Sequence, residues 1–82
     1  MDELAVLEKL KDRKEFVVVE HKGKCFLRRH CGQRMEKYEG RLGGIFSPRP
    51  ADIFVCLRCG YGKIVEYDYW GSGIHKSKIQ LW

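Results

Sequence analysis

Val55-Cys56-Leu57-Arg58-Cys59-Gly60 constrains this chain more than any other stretch. Two cysteines separated by two residues, with glycine directly after the second, form a tight turn that aims both sulfurs at one point. In a metal site the amides just past the first cysteine donate to its thiolate, and the glycine supplies the positive φ that the turn needs. Upstream, Leu27-Arg28-Arg29-His30-Cys31-Gly32 repeats the Cys-Gly ending, with Arg28 where a first cysteine would stand. Cys25, three residues earlier, is the nearest substitute. The expectation is a structural Zn2+ site that closes two β-turns against each other.

A chain of 82 residues is one small domain. Such a chain buries only about 60–65% of its unfolded surface, so a staple is expected. The four cysteines can supply it as two disulfides or as one metal site. No apolar run reaches the roughly 18–20 residues that span a bilayer. Met1-Asp2-Glu3-Leu4 lacks the basic and apolar segments of a signal peptide. These features predict a reducing, cytoplasmic location, where Cys-x-x-Cys means metal or redox chemistry more often than a structural disulfide.

The net charge of +5 is unevenly placed. Residues 1–20 carry six acids and four bases, whereas residues 21–82 carry twelve bases and five acids. Lys22, Lys24, Arg28, Arg29 and Arg34 follow one another with no acid between them, and Arg58 stands at the tip of the Cys-x-x-Cys turn. These six are the expected phosphate contacts of a nucleic acid, DNA or RNA. The bland counterpart is a solvated basic surface.

Residues 2–14 read as a helix, with Asp2 as N-cap and Leu4, Val6, Leu7 and Leu10 as its apolar stripe. Residues 15–29 read as a β-hairpin turning at Lys22-Gly23, which would set Glu20 opposite Cys25 and Val19 opposite Phe26. A short strand is expected within Gln33–Leu42, then a loop over Gly43–Pro50 whose Ile45 and Phe46 fold back over the core or form a contact tip. A second hairpin, Asp52–Trp70, surrounds the Cys56/Cys59 turn. Its exit strand puts Lys63, Val65, Tyr67 and Tyr69 on one face, to stack bases or to pack a sheet. Gly71-Ser72-Gly73 breaks that strand, and residues 71–82 form a tail whose terminal Trp82 suggests a docked last strand. The fold class is α+β, mostly β.

Cys56-Leu57-Arg58-Cys59-Gly60-Tyr61 within a β-hairpin, with Cys31-Gly32 upstream, resembles a zinc ribbon over residues 25–70. The second knuckle matches and the first is degenerate. Zinc ribbons are β-rich folds in which two knuckles hold one zinc, common in transcription factors, polymerase subunits and ribosomal proteins. Cys31, Cys56 and Cys59 are the first three expected ligands. For the fourth, Cys25 leads, His30 follows and His21 is third, with His75 remote.

Catalytic chemistry finds little support. A zinc deaminase needs His-x-Glu or Cys-x-Glu and a proline before its cysteine pair, whereas Val55 precedes Cys56 and neither triplet occurs. A thioredoxin-like pair opens a helix, whereas Cys59 leads into Gly60-Tyr61-Gly62 and a strand-like run. The expectation is a non-enzymatic, structural-zinc protein that binds nucleic acid as a transcription-related regulator. The competing expectation is a protein-binding adaptor or stoichiometric inhibitor of a larger machine, with Ile45, Phe46, the exit-strand tyrosines and Leu81-Trp82 as contacts.

Overall fold

A computed structural model describes residues 2–43, 49–67 and 73–82. Its elements run α1 (Glu3–Lys11), β1 (Phe16–His30), β2 (Gln33–Leu42), β3 (Arg49–Val55), β4 (Tyr61–Tyr67) and β5 (Gly73–Gln80). The strands form an antiparallel meander in the order β1-β2-β3-β4-β5. The class is α+β and mostly β, as expected from the sequence.

Helix α1 starts where the sequence places it, because the Asp2 carboxylate accepts a hydrogen bond from the Ala5 amide at 2.9 Å. It stops at Lys11, three residues short of the expected end. The Arg13 amide there bonds Leu10 O at 3.2 Å and the Arg13 side chain pairs with Glu15 at 2.7 Å, turning the chain so that Phe16 enters the core. Val6 and Leu10 are fully buried, each worth about 1.5–3 kcal/mol of burial. Leu4, expected in the same stripe, is 72% exposed.

Both side chains of α1 meet Phe16, Val19, Tyr38, Ala51, Ile53, Val55 and Ile64 on one face of the sheet. A second, smaller cluster of Met35, Phe54, Cys56 and Val65 forms on the opposite face. Adjacent residues Ile64 and Val65 are therefore both buried, one on each side of β4. The Tyr38 hydroxyl donates to Glu3 O at 3.3 Å, tying helix to sheet. Glu36, 1% exposed, is held by His21 Nε2 at 2.9 Å, which spares it the cost of an unpartnered buried carboxylate.

The expected hairpin at Lys22-Gly23 does not form. Chain reversal comes instead at Cys31-Gly32, and β1 runs unbroken past Gly23 to His30, pairing Val19 with Gly40 and Glu20 with Glu39. The reason is backbone geometry. Cys31 and Gly32 both have positive φ, 53° and 74°, as a two-residue hairpin turn of the favoured twist requires. Gly23, at φ 101°, lies at a register shift between His21 and Gly23, so its freedom serves a bulge. A larger irregularity follows between Lys24 and Arg29, which leaves Phe26 71% and Leu27 95% exposed.

The strand expected within Gln33–Leu42 forms as β2. Arg49 and Pro50, assigned to a loop, open β3 instead. Pro50 sits opposite Arg41 near the strand's start, where a missing amide is tolerated. The tail docks as β5 beside β4. Ile45, Phe46, Tyr69, Trp70 and the Gly71-Ser72 break lie outside the described residues. Among the described residues, no helix is long and apolar enough to cross a membrane.

Candidate metal centre

Antiparallel pairing of β3 with β4 forces a turn across Cys56–Gly60, and its hydrogen bonds fix where both sulfurs point. The Cys56 amide donates to Tyr61 O at 2.8 Å, and the Gly60 amide donates back to Cys56 O at 2.9 Å. Gly60 takes φ 79°, the left-handed conformation expected after the second cysteine. The end of the chain then braces this turn from outside. The Leu81 amide donates to Gly60 O at 2.9 Å and Gln80 Nε2 donates to Cys59 O at 2.6 Å. The Trp82 indole lies so close that a Cβ on Gly60 would stand 2.8 Å from its ring. Gly60→Ala is therefore expected to combine left-handed strain with displacement of Trp82. The cost is about 1–3 kcal/mol, read as a melting temperature lower by roughly 5–20 °C together with a shift in tryptophan fluorescence.

The second turn comes from the β1–β2 hairpin. In a continuing strand His30 and Cys31 would point to opposite faces. Positive φ at Cys31 breaks that alternation and swings its sulfur to the same corner as the His30 ring. His30 Nδ1 lies 3.3 Å from Cys31 Sγ and 3.2 Å from Cys59 Sγ. Tyr61 stacks on the His30 ring at 4.4 Å with 14° between planes, which sets the imidazole's orientation. Arg58 Nη1 reaches across to Cys31 O at 3.2 Å, linking the tips of the two turns.

Together His30, Cys31, Cys56 and Cys59 bring four ligand atoms within 4.8 Å of one another. A tetrahedral zinc with sulfur at about 2.3 Å and nitrogen at about 2.0–2.1 Å places its ligand atoms about 3.5–3.8 Å apart. The group fits that arrangement with small side-chain adjustments, so these four residues could hold a metal ion. Cys56 is fully buried, Cys59 and His30 partly so, and Cys31 faces solvent. The four cysteines are free thiols.

Protonation differs sharply within the group. Burial raises the Cys56 thiol, but contact with His30 and the amides of Cys59 and Arg58 outweighs it and brings it down to about 7. Contact with Cys59 and, less strongly, with Cys56 holds the Cys31 thiol up at about 11. The buried sulfur is thus the readier thiolate. Gln33 Nε2 stands 4.0 Å from Cys56 Sγ, in reach of that charge.

Three of the expected ligands, Cys31, Cys56 and Cys59, are brought together. Cys25, expected to lead for the fourth place, is not in the group. It lies within β1, five residues before the turn, and packs on the cluster of Met35, Phe54, Cys56 and Val65. His30, second in that expectation, stands there instead, and His21 is occupied by Glu36. The signal for His30 was present in the sequence: a His directly before a Cys-Gly pair capable of a two-residue turn.

The six expected phosphate contacts scatter. Lys22 pairs with Glu20 at 3.3 Å and Glu39 at 3.9 Å. Lys24, Arg34 and Arg58 line one shallow groove with Gln33, Glu36 and Leu57. Arg34 also stacks over Phe26, 4.2 Å from the ring centroid. Arg29 is exposed opposite Arg34, and Arg28 lies on the other face over Phe54 at 4.5 Å. Tyr67 packs on the sheet and donates to Asp52 at 2.7 Å, so its hydroxyl is engaged. Comparison with protein-family models, curated proteins and solved structures finds no match to this chain.

Proposed function

We propose that this chain is a zinc-ribbon-like protein with one structural Zn2+ on His30, Cys31, Cys56 and Cys59, and that it binds nucleic acid in a transcription-related role within a reducing compartment. The observation that carries the reading is the convergence of four nitrogen and sulfur ligands from two hairpin turns within 4.8 Å. With every tetrahedral position filled by the protein, no place is left for a water to be activated, so the metal's role is structural. It would fasten the end of the β1–β2 hairpin to the β3–β4 turn.

Nucleic-acid binding is supported by the excess of positive charge and by Lys24, Arg34 and Arg58 lining one groove beside the metal turns. Contacts of this kind are to phosphate and are insensitive to sequence. Zinc-loaded protein titrated into labelled DNA and RNA at two salt concentrations should bind more weakly at the higher salt. Absence of salt-sensitive binding at tens of micromolar protein would refute this part of the reading. A second reading, a protein-docking adaptor, is favoured by Phe26 and Leu27, which stand exposed side by side on the irregular segment of β1.

A further inference from the structure

The face of the sheet opposite α1 carries a charge pattern that the run of basic residues in the sequence does not reveal. Residues directly opposite in an antiparallel ladder share a face. The register aligns Lys37, Phe54, Lys63 and Lys78 in one row across β2, β3, β4 and β5. The next row reads Glu39, Asp52, Val65 and Lys76. Acids thus sit on the β2–β3 side, where Lys37 reaches Glu39 at 3.5 Å and Asp52 at 4.0 Å. Among the described residues of these rows, the only charges on the β4–β5 side are cations. Arg28 adds a further charge there, lying over Phe54, the direct neighbour of Lys63.

Like charges directly opposite one another destabilise a sheet. Lys63 faces Lys78 in that way, and among the described residues neither they nor Arg28 and Lys76 form an ion pair with an acid. Arg28 first, then partial burial, Lys76 and Lys78 hold the Lys63 ammonium below its ordinary value, which shows the cations to be close enough to repel. An anion laid across them removes that repulsion.

We propose that Arg28, Lys63, Lys76 and Lys78 form a phosphate-binding surface for the backbone of a double-stranded nucleic acid. This rests on the nucleic-acid reading above and moves its main contact from the β1 basic run to the β4–β5 face. Aromatic neighbours decide between duplex and single strand. Phe54 is covered by Arg28, Tyr61 is stacked on His30, and Tyr67 packs on the cluster of Phe54 and Val65. Among the described residues of this face the rings are thus covered or packed, so base stacking, the main attraction of single strands, is not on offer from them. What remains is charge, and duplex presents it most densely.

The test uses the zinc-loaded full chain and a labelled duplex of arbitrary sequence, at salt from 50 to 200 mM. Four neutralised phosphates give a slope of log affinity on log salt near −3.6, a loss of about 150-fold over that range. Lys63→Gln/Lys78→Gln should lose about 12-fold over the same range, with a slope near −1.8, and should melt no lower than wild type. A Lys22→Gln control, whose charge is already paired, should match wild type. Duplex binding that the double variant leaves unchanged overturns this surface while leaving the nucleic-acid reading standing. No salt-sensitive binding by wild type overturns both. Equal binding to polyglutamate, or a single strand bound more tightly than duplex, would also refute the proposal, by showing respectively a protein-like polyanion site or a stacking site.

Discussion

Chelation should unfold this protein. Structural zinc contributes about 10–16 kcal/mol in small metal-dependent domains, as much as or more than the 5–15 kcal/mol that holds a typical domain together. The purified chain should carry one zinc by elemental analysis. Excess EDTA should abolish its β-sheet circular dichroism and its cooperative melt, and returning zinc should restore both. Cys56→Ser, which removes the buried ligand, should give the unfolded signal without chelator. A metal-free chain that keeps its melt in EDTA would sink the structural role.

Zinc displaces protons, and this fixes the sign of the pH dependence. Cys31, held up at about 11, keeps its proton throughout the neutral range, while Cys56, at about 7, titrates within it. Binding near pH 7 therefore releases at least the Cys31 proton, and apparent zinc affinity should rise at least about 10-fold per pH unit there. Metal-dependent stability is thus lost as pH falls. Competition against a chromophoric chelator between pH 6.5 and 7.5 reads the slope, and a flat profile would contradict thiolate ligation by these two residues.

The second large effect separates His30 from Cys25. Dividing the zinc free energy among four ligands assigns each about 2.5–4 kcal/mol, so His30→Ala should weaken zinc binding by roughly 10²–10³-fold. Cys25→Ser should stay within a few fold, because Cys25 packs on the apolar cluster behind the site. Zinc affinity of the two variants, measured side by side, decides the matter. The reverse order would return Cys25 to the site and displace His30.

Much of this was legible in the sequence, and the gaps share a physical cause. The Cys56–Gly60 turn, the Asp2 cap, β2 and the docking of the last strand rest on local chemistry, and each was expected. The Lys22-Gly23 hairpin was equally well formed as a local signal. It lost to a competing turn nine residues further on, whose preference shows in tertiary pairing: with β1 continued to His30, nine residues of β2 pair with it. Cys25 was expected as the fourth ligand because it is the cysteine nearest the degenerate first knuckle, whereas the long β1 carries it into the body of the sheet. The basic residues divided for a related reason. Which face a side chain occupies depends on register, and a single bulge reverses it for everything beyond.

The irregular course of β1 has a consequence for how copies of this protein meet. Strand β1 borders the sheet on one side, and a straight border fifteen residues long would be a template for sheet-to-sheet addition between molecules. Register shifts at three places along it interrupt any continuous ladder that a second copy could offer. Lys24 and Arg29 add charge repulsion along the same rim. Concentrated samples should therefore resist fibrillar assembly despite the exposed Phe26 and Leu27.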